Sequence, residues 1–248
     1  MNLSLETKKL AKEGGLFARL THEYTAFFSA DKVGFNEDDK NILVEHCNDS
    51  DYMDWFFDRF WKHFYIVSLG FGGAPFSCDR EYKLAVNNND LVLLSRASHY
   101  LMDVGCVFHT TLSGQFSHIP YEMALDEHVD EIFNFIDIDS IQPMVIDSVN
   151  DAVLTLAVST NARISTVFEY ILNDDFEGLI PETVNNISEV ISYTAGLYNK
   201  FIDDVEDDVI YEIPYEAGFN PLIIIGLVLS MPFAFVYFSK EQKKENKK

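Results

Sequence analysis

Apolar residues recur every three or four positions along most of this chain, and runs that alternate apolar and polar residues in twos are few. That repeat belongs to an α-helix with one buried face, so the pattern predicts an all-α fold. Residues 3–30 read as one or two helices, broken near Gly14-Gly15. A second helical region covers 40–66 and has an acidic, aromatic centre. A long helix is predicted over 80–107, another over 120–137 with Pro120 in its first turn, and amphipathic helices over 143–173 and 181–204. GFGGAPFS (70–77) and TTLSGQFS (110–117) are predicted loops by their Gly, Pro and small polar residues. GFGG lacks the G-x-G-x-x-G spacing and follows no strand pattern, so a turn is expected there rather than a phosphate cradle. Residues 1–212 thus read as a single helical domain.

The pattern changes after that. Residues 213–220 form a linker, and the 18 residues 221–238, PLIIIGLVLSMPFAFVYF, carry no charge. The tail 239–248, SKEQKKENKK, follows. About 20 apolar residues cross a bilayer as a helix. The uncharged run is therefore expected to be a single-pass membrane helix, with a buried core helix as the alternative. Five Lys beyond the span favour a cytoplasmic tail and an extracellular domain. The N-terminal MNLSLETKKLAKEGG has no apolar signal core, which leaves a domain on the cytoplasmic face as the other arrangement.

Charge narrows the choice of partners. The chain of 248 residues has a formal net charge of −22. Such a surface repels polyanions and draws metal cations, so nucleic acid is a disfavoured partner. The three cysteines, Cys47, Cys78 and Cys106, show no C-x-x-C spacing and define no disulfide framework or cysteine-rich zinc site.

Chemistry concentrates in residues 99–122, HYLMDVGCVFHTTLSGQFSHIPYE, which hold three of the seven histidines. His99 and Asp103 are four apart and share a helix face, as do His118 and Glu122. His109 lies between the pairs, and Cys106, near Val104 and Val107, reads as a core residue. Two such pairs and a further His can aim nitrogen and oxygen donors at a divalent cation. Capping of the second helix by His118 and Glu122 is the competing reading.

These residues resemble the zinc-dependent phospholipase C family, which is related to the S1/P1 nucleases. HYLMD (99–103) followed by His109, then His118 and Glu122, matches the phospholipase branch in residue type. Upstream, DSDY (49–52), KHFY (62–65) and Thr21-His22 match further family pieces in order, so the resemblance spans roughly 20–135. It implies a helical zinc phospholipase C/P1 nuclease-type domain holding two or three zinc ions. One ion would be held by Asp51, His63, His99 and Asp103, a second by His109, His118 and Glu122, and a third by His22 and a bridging Asp103. It also implies phosphodiester hydrolysis by a zinc-activated water, with Asp51 orienting that water or acting as base. Tyr52 and Phe60 match positions lining a head-group pocket, and aromatic faces suit a quaternary ammonium.

Three departures bear on this. The family's N-terminal Trp, a ligand of the third zinc, has no counterpart before His22. Cys106-Val107 stands where relatives often carry Gln-Pro, and an apolar Gly-rich run follows KHFY. The expected substrate is a phospholipid or another phosphate ester. The alternatives are a zinc nuclease or phosphatase, and a non-catalytic, membrane-tethered helical protein with a structural metal site.

Overall fold

A computed structural model describes residues 19–53, 61–112, 118–173 and 175–213, and for 118–120, 172 and 176 the backbone only. Contacts divide the chain into two units, Met1–Pro214 and Tyr215–Lys248, and every described residue belongs to the first. The described residues are all-helical. They form α1 (Arg19–Val33), α2 (Glu37–His46), α3 (Asp49–Met53), α4 (Ala74–Asn88), α5 (Leu91–Val104), α6 (His118–Glu127), α7 (Val129–Phe135), α8 (Val149–Asn161), α9 (Ile164–Leu172) and α10 (Phe176–Glu206). Short 3-10 turns cover Val67–Leu69, Val107–Thr110 and Ile138–Ser140. No helix among the described residues is long and apolar enough to cross a membrane, and the expected span 221–238 lies outside them.

Side-chain caps set several helix starts. Asn36 accepts the Asp39 N–H at 3.0 Å to open α2, and Ser148 accepts the Asp151 N–H at 3.3 Å to open α8. Asp90 accepts the N–H groups of Val92 (2.8 Å) and Leu93 (3.3 Å). That cap divides the long helix expected over 80–107. Asn89 takes a left-handed conformation (φ 48°), which ends α4, and Asp90 at once starts α5. The helices expected over 120–137 and 143–173 are also divided, at His128 and at Ala162–Arg163. The last helix starts earlier than 181, because Asp175 accepts the Gly178 N–H at 2.9 Å, and it runs on through Pro181. The expected loop 70–77 is shorter, since α4 begins at Ala74 with Pro75 in its first turn.

Helix α5 is the centre of the described domain. It touches α1, α2, α3, α4, α8, α10 and the 107–110 turn. Every residue from 97 to 104 is buried, including His99 and Asp103. A helix covered on all sides keeps polar side chains only if they meet partners, because an unpaired buried charge is costly. One core packs Leu94, Leu101 and Val104 of α5 with Tyr82, Val153, Leu156, Leu197 and Tyr198. A second gathers Tyr24, Phe108, Tyr121, Ile132, Phe133 and Ile191. The polar residues of α5 lie where these cores leave room for other donors.

Candidate metal centre

Six separate pieces of chain bring the donors together. Helix α5 supplies His99 and Asp103, one turn apart on one face. Gly105 then lets the chain turn beneath α10, for a Cβ there would stand 2.3 Å from Val190 Cγ2. The Cys106 N–H donates to Asp103 O (2.9 Å) and the His109 N–H to Cys106 O (3.0 Å), so the turn carries His109 back towards Asp103. Short helix α3 supplies Asp51, and the turn that follows the helical residues 61–62 supplies His63.

The His63 segment is fastened by the glycine-rich run. The Ile66 N–H donates to Phe71 O (2.7 Å) and the Gly73 N–H to Trp61 O (2.7 Å). Gly72 adopts φ +145°, and a Cβ there would fall 2.0 Å from Phe64 O. GFGG is therefore a tight turn that holds His63 in place. The Tyr65 N–H also donates to His109 O at 3.1 Å, tying this segment to the 107–110 turn.

The resulting geometry is compact. His63 Nδ1 lies 2.6 Å from Asp103 Oδ2 and 3.7 Å from Asp51 Oδ1. His99 Nε2 lies 3.2 Å from Asp103 Oδ2, 3.5 Å from Asp51 Oδ1 and 3.0 Å from His63 Nδ1. Bonds of about 2.0–2.1 Å to a tetrahedral zinc place its ligands roughly 3.3 Å apart. These five separations straddle that value; Asp51, His63 and His99 form one possible cation group, and Asp103 adjoins it through His63 and His99. Two carboxylates and two neutral imidazoles also balance a dication. His63 and His99 meet edge to face with ring centres 4.9 Å apart, and Tyr100 packs on both.

The remaining donors surround this group. His22 Nε2 stands 3.8 Å from Asp103 Oδ1, and its ring meets His99 edge-on at 4.9 Å. His22, His99 and Asp103 form a second possible cation group, and His22 Nδ1 is buried with no hydrogen-bond partner among the described residues. Asp126 positions His22. It accepts the N–H groups of Leu20 (3.2 Å) and Thr21 (3.0 Å) and the Thr21 hydroxyl (2.8 Å), joining the first turn of α1 to α6, which bears Glu122. His109 Nε2 lies 2.9 Å from Glu122 Oε1, while its Nδ1 donates to His63 O at 3.1 Å. That backbone contact fixes the tautomer that leaves Nε2 as the donor atom beside Glu122, an arrangement common in metal-binding histidines.

Seven of the eight residues expected as ligands thus converge: His22, Asp51, His63, His99, Asp103, His109 and Glu122. His118 opens α6 four residues before Glu122, and its side chain lies outside the described residues. Phe60 also lies outside them, and Tyr52 is more than half exposed. His46 and His128 face the surface, paired with Asp49 and Glu131. The site neighbour the sequence reading missed is Cys106. It is half-buried and packs against the second core, as its apolar neighbours suggested, and its sulfur also forms a third possible cation group with His109 and Glu122. Its three-residue spacing before His109 was the available signal.

Electrostatics follow from burial and pairing. Burial alone would lower His99, but Asp103 and Asp51 outweigh it and hold the imidazole well above its ordinary range. Burial likewise opposes ionisation of Asp103, yet His99 and His63 hold it well below the usual carboxylate range. Asp51 is lowered in the same way, burial being outweighed chiefly by His99. His109 is raised because Glu122 outweighs burial, whereas His22 is lowered by burial and by His99 beside it. Burial pushes the Cys106 thiol up, and Glu122 adds to it.

A cation must displace the protons that His99 and His109 hold in its absence. Metal affinity is therefore expected to increase as pH rises above the ordinary imidazole range, with protons released on binding. Calorimetric titration in buffers of different ionisation enthalpy checks this, and an affinity that does not change with pH would contradict it.

Comparison with protein-family models gives no match, and comparison with curated proteins gives none either.

Proposed function

We propose that this chain is a zinc-dependent phosphodiester hydrolase of the phospholipase C type, tethered to a membrane by residues 221–238. The observation that carries the proposal is the convergence of Asp51, His63, His99 and Asp103 from separate chain segments. A divalent cation bound there supplies Lewis acidity and lowers the pKa of a coordinated water. The protein's own residues then divide the remaining tasks. His63, His99 and Asp103, all buried, hold and orient the centre. The Asp51 side chain keeps 27% exposure and is the natural group to orient the attacking water or take its proton. His109 and Glu122, with His118 one helical turn before Glu122, supply a second ion site, and His22 flanks the first. Tyr52, next to Asp51 in sequence and exposed, is positioned to meet an incoming head group, a role proposed for Phe60 as well.

The test is release of diacylglycerol from mixed phospholipid dispersions by the full-length protein in detergent. Activity is expected with zinc, to fall to background with a chelator, and to return on adding zinc back. Zinc-loaded protein with no such activity would contradict the lipid assignment. Cleavage of single-stranded nucleic acid or a soluble phosphate ester by that same sample would support the nuclease or phosphatase reading instead. The deep burial of His99 and Asp103 favours a structural metal site as a second reading, which predicts bound zinc and no hydrolysis of any ester.

A further inference from the structure

The cysteine expected in the core packs against it and also faces His109 and Glu122. Cys106 sits at the start of the 107–110 turn, with its N–H on Asp103 O and its O accepting from the His109 N–H. Its Sγ, one nitrogen of His109 and one oxygen of Glu122 all lie within 4.8 Å of one another. His109 and Glu122 are buried, and Nδ1 of His109 is committed to the His63 carbonyl, which leaves Nε2 as the donor facing Glu122.

Space adjoins this group. A cavity of about 40 Å³ is lined by Cys106, Glu122 and His22 on its polar side and by Met102, Leu125 and Ile187 among its apolar residues. A cavity of that size admits one or a few atoms of water size.

We infer that Cys106 Sγ is a ligand of the second cation, making that centre a mixed thiolate, imidazole and carboxylate site formed by Cys106, His109 and Glu122. The inference rests on the reading of His109 and Glu122 as ligands of a second ion. On binding, the thiol proton leaves to solvent and a sulfur lone pair occupies the coordination position. One thiolate and one carboxylate then balance the charge of a dication. A soft sulfur donor selects zinc, cobalt or cadmium over magnesium, calcium and manganese. The two ion sites thereby differ: the first is all nitrogen and oxygen, and the second prefers softer metals.

Cobalt(II) reads sulfur ligation directly. The full-length protein in detergent is titrated with cobalt and followed in the near ultraviolet. A sulfur-to-cobalt charge-transfer band is expected to grow with one of the bound equivalents. Cys106→Ser, close to isosteric, and Cys106→Ala are both expected to lose the band. The affinity for that equivalent falls about tenfold or more, by analogy with the 10–100-fold cost of disturbing even outer-shell partners. The other equivalent, held by Asp51, His63, His99 and Asp103, is expected to be unchanged in both variants. Two bound cobalt ions with no charge-transfer band in the parent protein would overturn the inference, as would a band that survives in both variants. A Cys106-dependent band in a protein that hydrolyses no phosphate ester supports the ligand assignment and sinks the proposed activity. Absence of any cobalt binding overturns both.

Discussion

Replacing Asp103 with Asn is expected to remove tightly bound metal and abolish hydrolysis together. Asp103 is the residue on which the centre converges. His63 lies 2.6 Å from its carboxylate, His99 3.2 Å, His109 3.7 Å and His22 3.8 Å. The amide keeps the shape but removes the negative charge that balances a dication and offers one oxygen where the carboxylate offers two. An affinity loss of roughly 100-fold or more is expected, equivalent to about 2.7 kcal/mol. The metal-free protein is also expected to suffer, because the change leaves buried His99 without its main counter-charge. Breaking one side of a buried ion pair costs about 3–5 kcal/mol, and loss of the His99 proton offsets part of that. Elemental analysis, calorimetric melting and the lipid assay check the three parts. Full zinc and full activity in this variant would refute the site assignment.

Removing the metal from the unaltered chain is expected to lower the melting temperature by about 8–16 °C. A ligand at 1,000 times its Kd stabilises the folded state by roughly 4 kcal/mol. For a domain of 150–250 residues each kcal/mol corresponds to about 2–4 °C. The effect arises here because Asp51, Asp103 and Glu122 are brought within reach of one another's histidines, and a dication is the natural neutraliser of that group. His46→Ala and His128→Ala are expected to leave the metal-dependent difference unchanged, since both residues pair on the surface with Asp49 and Glu131. A chelator that leaves the melting temperature unchanged would count against a bound ion in the folded protein.

The central part of the candidate site was legible in the chain because two of its residues are a local pair. His99 with Asp103 is an i, i+4 spacing, and any helix at that position puts both on one face. The all-α reading held for the same reason: helical periodicity survives uncertainty in element boundaries. The boundaries themselves were less legible. The break at Asn89-Asp90 has no Gly or Pro, and its signal is a left-handed Asn followed by a capping Asp, which a long apolar period conceals. The last helix was expected from 181, whereas Asp175 caps it six residues earlier and the helix runs through Pro181. GFGG was read as a turn, yet its purpose depends on contacts with Phe64 and Trp61 that no spacing reveals. Cys106 was legible as a core-packing residue but not as a neighbour of His109 and Glu122. Its apolar neighbours pointed to the core, but the turn after Gly105 rotates its sulfur towards His109 and Glu122. Position within a turn, unlike position on a helix, does not follow from periodicity.

The most direct test of the metal centre is an anomalous difference map, recorded at the zinc edge, from crystals of the zinc-loaded protein. A strong peak bonded to Asp51, His63, His99 and Asp103 at about 2.0–2.2 Å is the expected result. Zinc found only on surface carboxylates, with His63 and His99 joined to Asp103 by hydrogen bonds alone, would contradict the account.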